Sequence, residues 1–504
     1  MAADSPPAND TRRAARNAGA LAAANLFSKG MLFVWQFVLA RWIGDAGYGI
    51  YGTVGALTII ATVIGSFGMG LIVIRDVSRE PEKAGEYLTA TLFMQTGLVL
   101  AAYLIMNGAA FAFGYSANIQ VFVALAGIGL IIDIYGNMCS DQLLAQERMV
   151  VTSVIEAVHI VLRIGLVALV LWQGFDLLGL YAIGLAASMV RSVLFWQALA
   201  RTGVNPVFPV NWMIATPLFL NSVPLALSAI FTLAYQQADK LMSTRFVGES
   251  STGYLTAAFV IITGVVELLN STVLIATYPI MSRYYADARD VFGFIIEKLV
   301  FFTAIVTLPV CLVLSVFAAE ITIPLFGADF SPTAAVLRVL IWYALVTRAV
   351  NIFAQGMMVQ NRQRRLLFIR MGGLMLNLTL NLILLMALDL GVMGIVYASV
   401  IAETLVLVVM LLTFRDEGIE TRRLSGKLVR PLLIGLIVVV VMLVTGRIHF
   451  TVGVLCGGIV YLVSLLYGSV FADDDLDLIY RLLAAMPGGG YVLRYWQRDV
   501  SINW

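Results

Sequence analysis

Runs of about 20 apolar residues follow one another along this chain, and only short polar connectors separate them. A bilayer core roughly 30 Å thick needs about 20 apolar residues for each helical crossing. The pattern therefore predicts an all-α, polytopic membrane protein with about fourteen transmembrane helices. Their approximate bounds are 17–41, 48–73, 87–113, 118–143, 150–172, 178–200, 216–241, 252–280, 294–319, 332–359, 366–388, 392–414, 428–446 and 449–471. An even number of crossings puts both termini on the same side of the membrane.

The composition agrees with this pattern and excludes several classes of protein. Hydrophobic residues make up 61% of the chain and charged residues 12%, and the mean hydropathy is +0.93. The charged residues are too few to cover a water-facing surface. The connectors are too short to hold a soluble catalytic domain, and the sequence contains no Walker A motif. The three cysteines are widely spaced and only two histidines occur. We therefore expect no cofactor, no metal site, no disulfide framework and no enzymatic activity.

Basic residues are distributed unequally between the two sets of connectors. One set, together with both termini, holds about 21 of the 32 Lys and Arg residues, and the opposite set holds about three. Because positive charge near span ends stays in the cytoplasm, we expect both termini to be cytoplasmic. The chain would then be a multi-pass protein of the cytoplasmic (inner) cell membrane, with residues 472–504 as an interfacial tail.

A motif after the first span recurs after the seventh. Arg41-Trp-Ile-Gly44 reappears as Arg245-Phe-Val-Gly248, 204 residues later, and Gly47-Tyr48 reappears as Gly253-Tyr254, 206 residues later. The offset is nearly constant and encloses six spans, which is an even number. We therefore predict a duplication whose two copies share one orientation and are related by an axis along the membrane normal.

The duplication predicts the domain organisation. We expect an N-lobe of six spans, a cytoplasmic linker, a C-lobe of six spans, two extra spans and the interfacial tail. These parts cover residues 1–200, 201–215, 216–414, 428–471 and 472–504, respectively. Pro206, Pro209 and Pro217 interrupt the helical pattern between the lobes, so we place the hinge at 201–217.

Two segments at these turns resemble a known family. They are Arg41-Trp-Ile-Gly-Asp-Ala-Gly-Tyr-Gly-Ile-Tyr51 and Gln237-Ala-Asp-Lys-Leu-Met-Ser-Thr-Arg-Phe-Val-Gly248. Together with the span count and the duplication, they are similar to the multidrug/oligosaccharidyl-lipid/polysaccharide (MOP) exporter superfamily, and within it to the polysaccharide-transport branch of O-antigen flippases. The resemblance implies alternating access and a cleft between the lobes, lined by the first, second, seventh and eighth helices. Lys29, Lys240 and Glu267 lie on those helices.

Charged and amide side chains within the predicted spans are candidates for the site. A charge at the bilayer centre costs about 2.5–3.5 kcal/mol, so such side chains face a cavity or a partner. The predicted substrate-binding residues are Lys29, Asn25 and Gln36, which form one polar stripe, together with Lys240, Arg348, Arg191 and Arg163. The predicted ion-coupling residues are Glu267, Glu156 and Asp239.

Some of these residues have other interpretations. Glu156 and Arg163 lie two helical turns apart and could form an ion pair within one lobe. The resemblance places Arg348 and Arg163 inside a lobe, which argues against contact with a substrate in the cleft. The sequence pattern leaves Glu403 isolated in the twelfth span.

The sign of the buried charges and the resemblance together predict the substrate. A polyprenyl diphosphate carries about two negative charges, and Lys and Arg supply the cations that compensate them. We therefore predict a flippase that translocates a polyprenyl-diphosphate-linked oligosaccharide, such as an O-antigen-like precursor, coupled to an H⁺ or Na⁺ gradient. Its partners would be this lipid-linked oligosaccharide and the membrane lipids, and not nucleic acid.

Several other functions remain open. A drug/cation antiporter would need acidic cavity walls, whereas the deep charges here are mostly basic. A lipid II flippase would share the chemistry of the carrier lipid. An integral-membrane glycosyltransferase or ligase would need a large extracytoplasmic loop with acidic or His catalytic groups, and the connectors on that side are short. A scaffold without transport activity would have the same composition.

Overall fold

A computed structural model describes the backbone of residues 8–287, 289–414, 421–468 and 470, and the side chains of residues 29–266, 281, 282, 285, 292–414, 426–468 and 470. This described part is all-α and contains no β-strand. The helices are α1 (Ala8–Ser66), α2 (Met69–Arg79), α3 (Ala84–Ala112), α4 (Ala117–Ala145), α5 (Met149–Trp172), α6 (Leu177–Ala200), α7 (Trp212–Phe246), α8 (Glu249–Asp287), α9 (Arg289–Val316), α10 (Ala318–Phe326), α11 (Thr333–Val359), α12 (Gln363–Leu382), α13 (Gly391–Phe414), α14 (Thr421–Thr445) and α15 (Phe450–Tyr467). The tail 472–504 lies outside the described residues.

The first two predicted spans form one segment that folds back on itself at Gly44. Gly44 has φ 71° and ψ 179°, a conformation that favours glycine and that no helix contains. The hydroxyl of Tyr48 donates to Oε1 of Gln36 at 3.0 Å, although twelve residues of straight helix would span about 18 Å. The α1 helix therefore has two arms, 8–43 and 45–66. The described part contains thirteen apolar segments that could cross a membrane. Because the first of them turns back at Gly44, it makes two crossings, and the predicted number of about fourteen is confirmed.

The second copy of the repeat turns at the equivalent glycine. Gly248 separates α7 from α8, has φ 120°, and lies 204 residues after Gly44. Across this turn, the hydroxyl of Thr244 donates to that of Thr252 at 2.9 Å. A glycine with positive φ therefore ends the first span of each copy, because any other residue would be strained there.

The linker between the lobes packs on the first lobe, and α7 joins the two. The backbone N–H of Val207 donates to the hydroxyl of Thr89 in α3 at 2.7 Å. Leu218, in the first part of α7, packs in a buried apolar cluster with α2. Further along α7, Tyr235 packs against Leu374 of α12. The α7 helix therefore contacts one lobe with its first part and the other lobe with its last part.

The two last helices, α14 and α15, attach to the C-lobe through α9. Lys427 Nζ lies 2.8 Å from Oε1 of Glu297, and the hydroxyl of Tyr461 donates to the carbonyl of Ile305 at 2.8 Å. An apolar cavity of about 170 Å³ lies between α14 and helices α9, α11 and α13. These contacts place α14 and α15 on the outside of the C-lobe, away from the junction between the lobes.

Candidate functional site

The two lobes meet through a reciprocal pair of glycines near the Gly44 and Gly248 turns. Gly49 lies against the carbonyl group of Glu249, and Gly253 lies against the carbonyl group of Asp45. At either glycine, a Cβ atom would overlap the facing carbonyl oxygen. Asp45 and Gly49 correspond to Glu249 and Gly253 at the offset of 204 that relates Arg41 to Arg245. In this packing Gly253 is thus the counterpart of Gly49, and not of Gly47 as the Gly-Tyr motif alone suggested. We call this contact the seam; its reciprocity is what a pseudo-twofold axis between the copies requires.

Polar side chains reinforce the seam on both sides. The hydroxyl of Tyr254 donates to Oδ2 of Asp45 at 2.7 Å, and the buried hydroxyls of Thr53 and Thr244 are hydrogen-bonded to each other. Asp45 and Thr53 belong to α1, whereas Tyr254 and Thr244 belong to the second copy. The lobes are therefore closed against each other at this end of the bundle.

The two arginines of the repeated motif each reach across to the opposite lobe. Arg41, at the end of the first arm of α1, donates through Nε to the carbonyl of Leu325 at 3.0 Å. Arg245, at the end of α7, packs its guanidinium against Gly114, in the connector after α3. The arginine of the sequence motif therefore lies beside the other lobe in both copies, and Arg41 is hydrogen-bonded there to the last turn of α10.

Three of the predicted substrate-binding residues lie on α1 and α7, further into the bundle than the turns at Gly44 and Gly248. Gln36 and Lys240 occupy the same position in the two copies, 204 residues apart. Lys240 Nζ donates to Oε1 of Gln237 at 3.1 Å and lies 5.8 Å from the ring centroid of Phe259 in α8. Lys29 is exposed and lies seven residues before Gln36, two helical turns further from the seam. The side chain of Asn25, which was predicted to share a polar stripe with Lys29 and Gln36, lies outside the described residues.

Asp239 is buried inside the C-lobe, between α7, α12 and α13. Its Oδ1 accepts hydrogen bonds from the side-chain amides of Asn377 at 3.2 Å and Asn381 at 3.0 Å, and its Oδ2 accepts from the hydroxyl of Ser399 at 2.6 Å. Within the described part of the chain, Oδ1 of Asn381 has no hydrogen-bond donor. Both amides turn their N–H groups toward the carboxylate, so the oxygens available to a hard cation here are those of Asp239 itself and Oδ1 of Asn381.

The backbone of α12 is irregular beside this site. After Asn381, the helix changes into a π-helical turn at Ile383–Ala387. Such turns are rare and are frequently found at functional sites. The irregular turn and the unpartnered oxygen of Asn381 therefore lie at the same place.

The structure corrects the expectation that Glu403 is isolated. Glu403 is fully buried, its Oε2 accepts from the hydroxyl of Tyr235 at 2.7 Å, and its Oε1 lies 3.8 Å from Nη1 of Arg370. Arg370 also donates to Oδ1 of Asn351 at 3.3 Å. Tyr235 precedes Asp239 by one turn of α7, so these two side chains lie on the same side of that helix. The carboxylate of Glu403, which Tyr235 contacts, therefore packs on the same side of α7 as the carboxylate of Asp239.

Arg348 belongs to the contact between α11 and α8. Arg348 is buried and donates through Nη1 to the carbonyl of Val266 at 3.0 Å. This position is inside the C-lobe, as the family resemblance implied. The side chain of Glu267, the next residue in sequence, lies outside the described residues.

A second polar group, which we call the N-lobe cluster, is centred on Arg191 of α6. Its other members are Asp133 and Asn137 of α4, Glu156 of α5 and Ser188 of α6. Arg191 donates to Oε1 of Glu156 at 3.0 Å and to Oδ1 of Asn137 at 2.7 Å, and it lies 3.5 Å from Oδ1 of Asp133. The hydroxyl of Ser188 donates to Oδ2 of Asp133 at 3.1 Å. Glu156 therefore pairs with Arg191 and not with Arg163.

Sequence reasoning missed six of the polar residues at these two sites. They are Asp133, Asn137, Ser188, Asn377, Asn381 and Ser399. A usable signal was present, because Asp133 and Asn137 are four residues apart within an apolar span, as are Asn377 and Asn381. That spacing places each pair on one face of its helix. Uncharged amides within spans are as informative as charges when they recur at this interval.

The many helices that are long and apolar enough to cross a membrane define a multi-pass membrane protein. A family model described as "Polysaccharide biosynthesis protein" matches residues 14–285, which is more than half of the chain, and the chain belongs to this family. It is also similar to the "Probable low-salt glycan biosynthesis flippase Agl15" of Haloferax volcanii. The two are 23% identical over 393 residues, which cover 77% of this chain and 80% of the relative.

Solved structures share this fold. The lipid II flippase MurJ, in an inward closed conformation, superposes with a TM-score of 0.70 at 15% identity, over 89% of this chain and 99% of that chain. An inward-facing multidrug MATE transporter of the MOP superfamily superposes with a TM-score of 0.63 at 16% identity, over 78% of this chain and 94% of that chain. The expected all-α, polytopic fold is confirmed, and it is the fold of these two transporters.

Proposed function

We propose that the protein is a flippase that moves a polyprenyl-diphosphate-linked oligosaccharide across the cytoplasmic membrane by alternating access. The observation that carries the proposal is the set of polar side chains on α1 and α7, where Lys29 and Lys240 lie on the inner side of a closed seam. Ammonium groups form strong, charge-assisted hydrogen bonds with phosphate oxygens. A membership of the polysaccharide biosynthesis family agrees with a glycan as cargo.

The orientation follows from the distribution of basic residues. With both termini in the cytoplasm, as the Lys and Arg excess of one connector set indicates, the seam lies at the extracytoplasmic end. The lobes are then closed to the outside, and in this proposal the substrate enters the cleft from the cytoplasmic side. A drug/cation antiporter is less favoured, because the cleft helices present two lysines to a cationic substrate.

The proposal is tested by reconstitution into liposomes that contain a fluorescent polyprenyl-diphosphate oligosaccharide. Without protein, a glycosidase added outside cleaves only the outer-leaflet half of the glycan, since the diphosphate and sugars do not cross the hydrocarbon core unaided. With protein, we expect cleavage to proceed to completion. A cleaved fraction that stays at one half, in vesicles shown to contain folded protein, would contradict the proposed function.

We further propose that the Asp239 site binds the coupling ion, which is Na⁺ or H⁺. Moving one charge through 100 mV provides about 2.3 kcal/mol, equal to a concentration ratio of about 50-fold. An ion bound by Asp239 on α7 would act on the helix that contacts both lobes. It would also supply the partner that Oδ1 of Asn381 lacks among the described residues.

Asp239→Asn should therefore uncouple the protein. In the liposome assay, imposing a gradient of the coupling ion should accelerate wild-type flipping and leave the variant at its rate without a gradient, because the neutral amide cannot hold the ion. Asp176→Asn is the matched control: Asp176 caps α6 by accepting from the N–H of Leu178 at 3.0 Å, and asparagine caps equally well. Acceleration of Asp239→Asn by the gradient to the wild-type extent would refute this role.

A further inference from the structure

The N-lobe cluster is not used by the ion site or by the lysines of the cleft helices. It lies near the middle of α4 and α6, at membrane depth, and the side chains of Glu156, Asn137 and Asp133 converge there on the guanidinium of Arg191. The guanidinium carbon of Arg191 also lies 5.0 Å from the ring centroid of Phe195, one turn further along α6. Such a group is either an internal structural network or the wall of a binding site, and the exposure of its carboxylates distinguishes the two.

The carboxylates of this cluster are accessible, whereas its arginine is not. The side chains of Asp133 and Glu156 are 37% and 39% exposed, compared with 10% for Arg191. Arg191 is therefore buried behind the two carboxylates and holds them in fixed orientations. In a purely structural network the charges would be shielded together, because an exposed charge at this depth is costly in contact with lipid.

The exposed side of Glu156 faces the inside of the lobe. Successive residues of a helix are rotated by about 100°, so Glu156 and His159 lie opposite a stripe of exposed valines on α5. That stripe consists of Val150, Val154, Val158 and Val161. The valines form the lipid face of α5, and the polar side must therefore border a space that contains water.

A wall of fixed, accessible carboxylate and amide oxygens recognises hydroxyl donors. Asp133 and Glu156 can each accept further hydrogen bonds, since a carboxylate has about four lone-pair positions, and hydrogen bonds to charged acceptors are the stronger kind. The hydroxyl groups of a sugar are such donors. A carboxylate on the ligand would be repelled by two acidic side chains that share one guanidinium.

We propose that the N-lobe cluster is a saccharide subsite that binds an uncharged sugar of the lipid-linked glycan and disfavours uronic acids. This inference rests on the proposed function and deepens it, because it assigns the diphosphate to the lysines of the cleft helices and the glycan to the N-lobe. Arg191 and Glu156, which the sequence suggested as a substrate ligand and an ion-coupling residue, are in this proposal the support and the wall of one subsite.

The test compares three synthetic ligands that share one short polyprenyl diphosphate. The first carries no sugar, the second a neutral trisaccharide, and the third the same trisaccharide ending in a hexuronate. Equilibrium binding to purified full-length protein is measured for each. We expect the neutral trisaccharide to bind about tenfold more tightly than the bare carrier, roughly the equivalent of one hydrogen bond to a charged group, and the hexuronate to lose most of this gain.

Asp133→Ala should remove the gain from the neutral trisaccharide and leave the affinity for the bare carrier unchanged. Asp133 suits this test because its contact with Arg191 is the longest of the cluster, 3.5 Å, so Arg191 keeps its bonds to Glu156 and Asn137. Should the alanine variant not fold, Asp133→Asn preserves the shape and should abolish the discrimination against the hexuronate. Ser192→Ala is the matched control. The hydroxyl of Ser192, on α6, donates to the carbonyl of Ile132, on α4, at 2.8 Å, and it is not a member of the N-lobe cluster.

The outcomes separate this inference from the proposed function. Wild-type protein that binds the bare carrier but gains nothing from either glycan would refute the saccharide subsite alone. Equal weakening of all three ligands by Asp133→Ala would also refute it, because a structural role does not depend on the sugar. Wild-type protein that binds none of the three ligands would refute the proposed function and the subsite with it.

Discussion

Replacing Lys29 by alanine is expected to reduce flipping by about 100-fold or more while the amount of folded protein stays the same. Charge-assisted hydrogen bonds contribute up to about 3 kcal/mol each, and a diphosphate in the cleft offers several oxygens to one ammonium. Lys29 is exposed on α1, two helical turns from Gln36. Lys29→Arg should keep part of the activity, because the charge is retained although the geometry changes.

The control for Lys29 is a lysine outside the cleft helices. Lys83, before α3, forms an ion pair with Glu80 and is exposed, and Lys83→Ala should flip substrate at the wild-type rate since exposed pairs contribute little. A structural role of Lys29 predicts a different result: the alanine variant should then be less abundant in the membrane. Wild-type flipping by a well-expressed Lys29→Ala protein would falsify the binding role.

Gly49→Ala is expected to abolish transport by preventing closure of the seam. The new Cβ would overlap the carbonyl oxygen of Glu249, which is backbone and cannot rotate away. The lobes must then separate at this end, and the cleft stays open to the outside. A cysteine at position 36, introduced after replacing Cys139, Cys311 and Cys456, should react with an impermeant thiol reagent from outside in Gly49→Ala and be protected in the parent.

The same helix offers a matched control for this substitution. Gly55 lies on the same arm of α1 and has no atom within 4 Å of a Cβ built on it. Gly55→Ala should therefore leave flipping and labelling unchanged, whereas Gly253→Ala should reproduce Gly49→Ala because the contact is reciprocal. Normal flipping by Gly49→Ala would mean that the lobes do not need this contact to close.

The spans and the repeat were predictable from the sequence because both are local patterns. A run of apolar residues specifies a crossing wherever its neighbours lie, and the offset of 204 residues specifies the duplication without any knowledge of packing. Positive φ at Gly44 and Gly248 then follows from the need to reverse direction within one residue. The reciprocal packing of Gly49 and Gly253 was not predictable, because the sequence does not indicate which backbone faces a glycine.

The partners of the buried charges were not predictable for a related reason. Periodicity gives the face of a helix but not the helix that it meets. Asp239 and Asn381 are 142 residues apart, and Arg191 and Glu156 are 35 apart. Glu403 seemed isolated because Tyr235 and Arg370 lie on two other helices. Only the packing of α7 against α12 and α13 brings these residues together.

The reciprocity of the seam has a meaning for the origin of the chain. When residue 45 of one copy meets residue 253 of the other, and residue 249 meets residue 49 in return, the contact has the form of an isologous interface in a twofold homodimer. A single six-helix ancestor could have formed this contact with a second molecule of itself before the two genes fused. Each half of the modern chain would then retain both parts of this ancestral interface, a glycine and the backbone carbonyl that packs on the glycine of the other half.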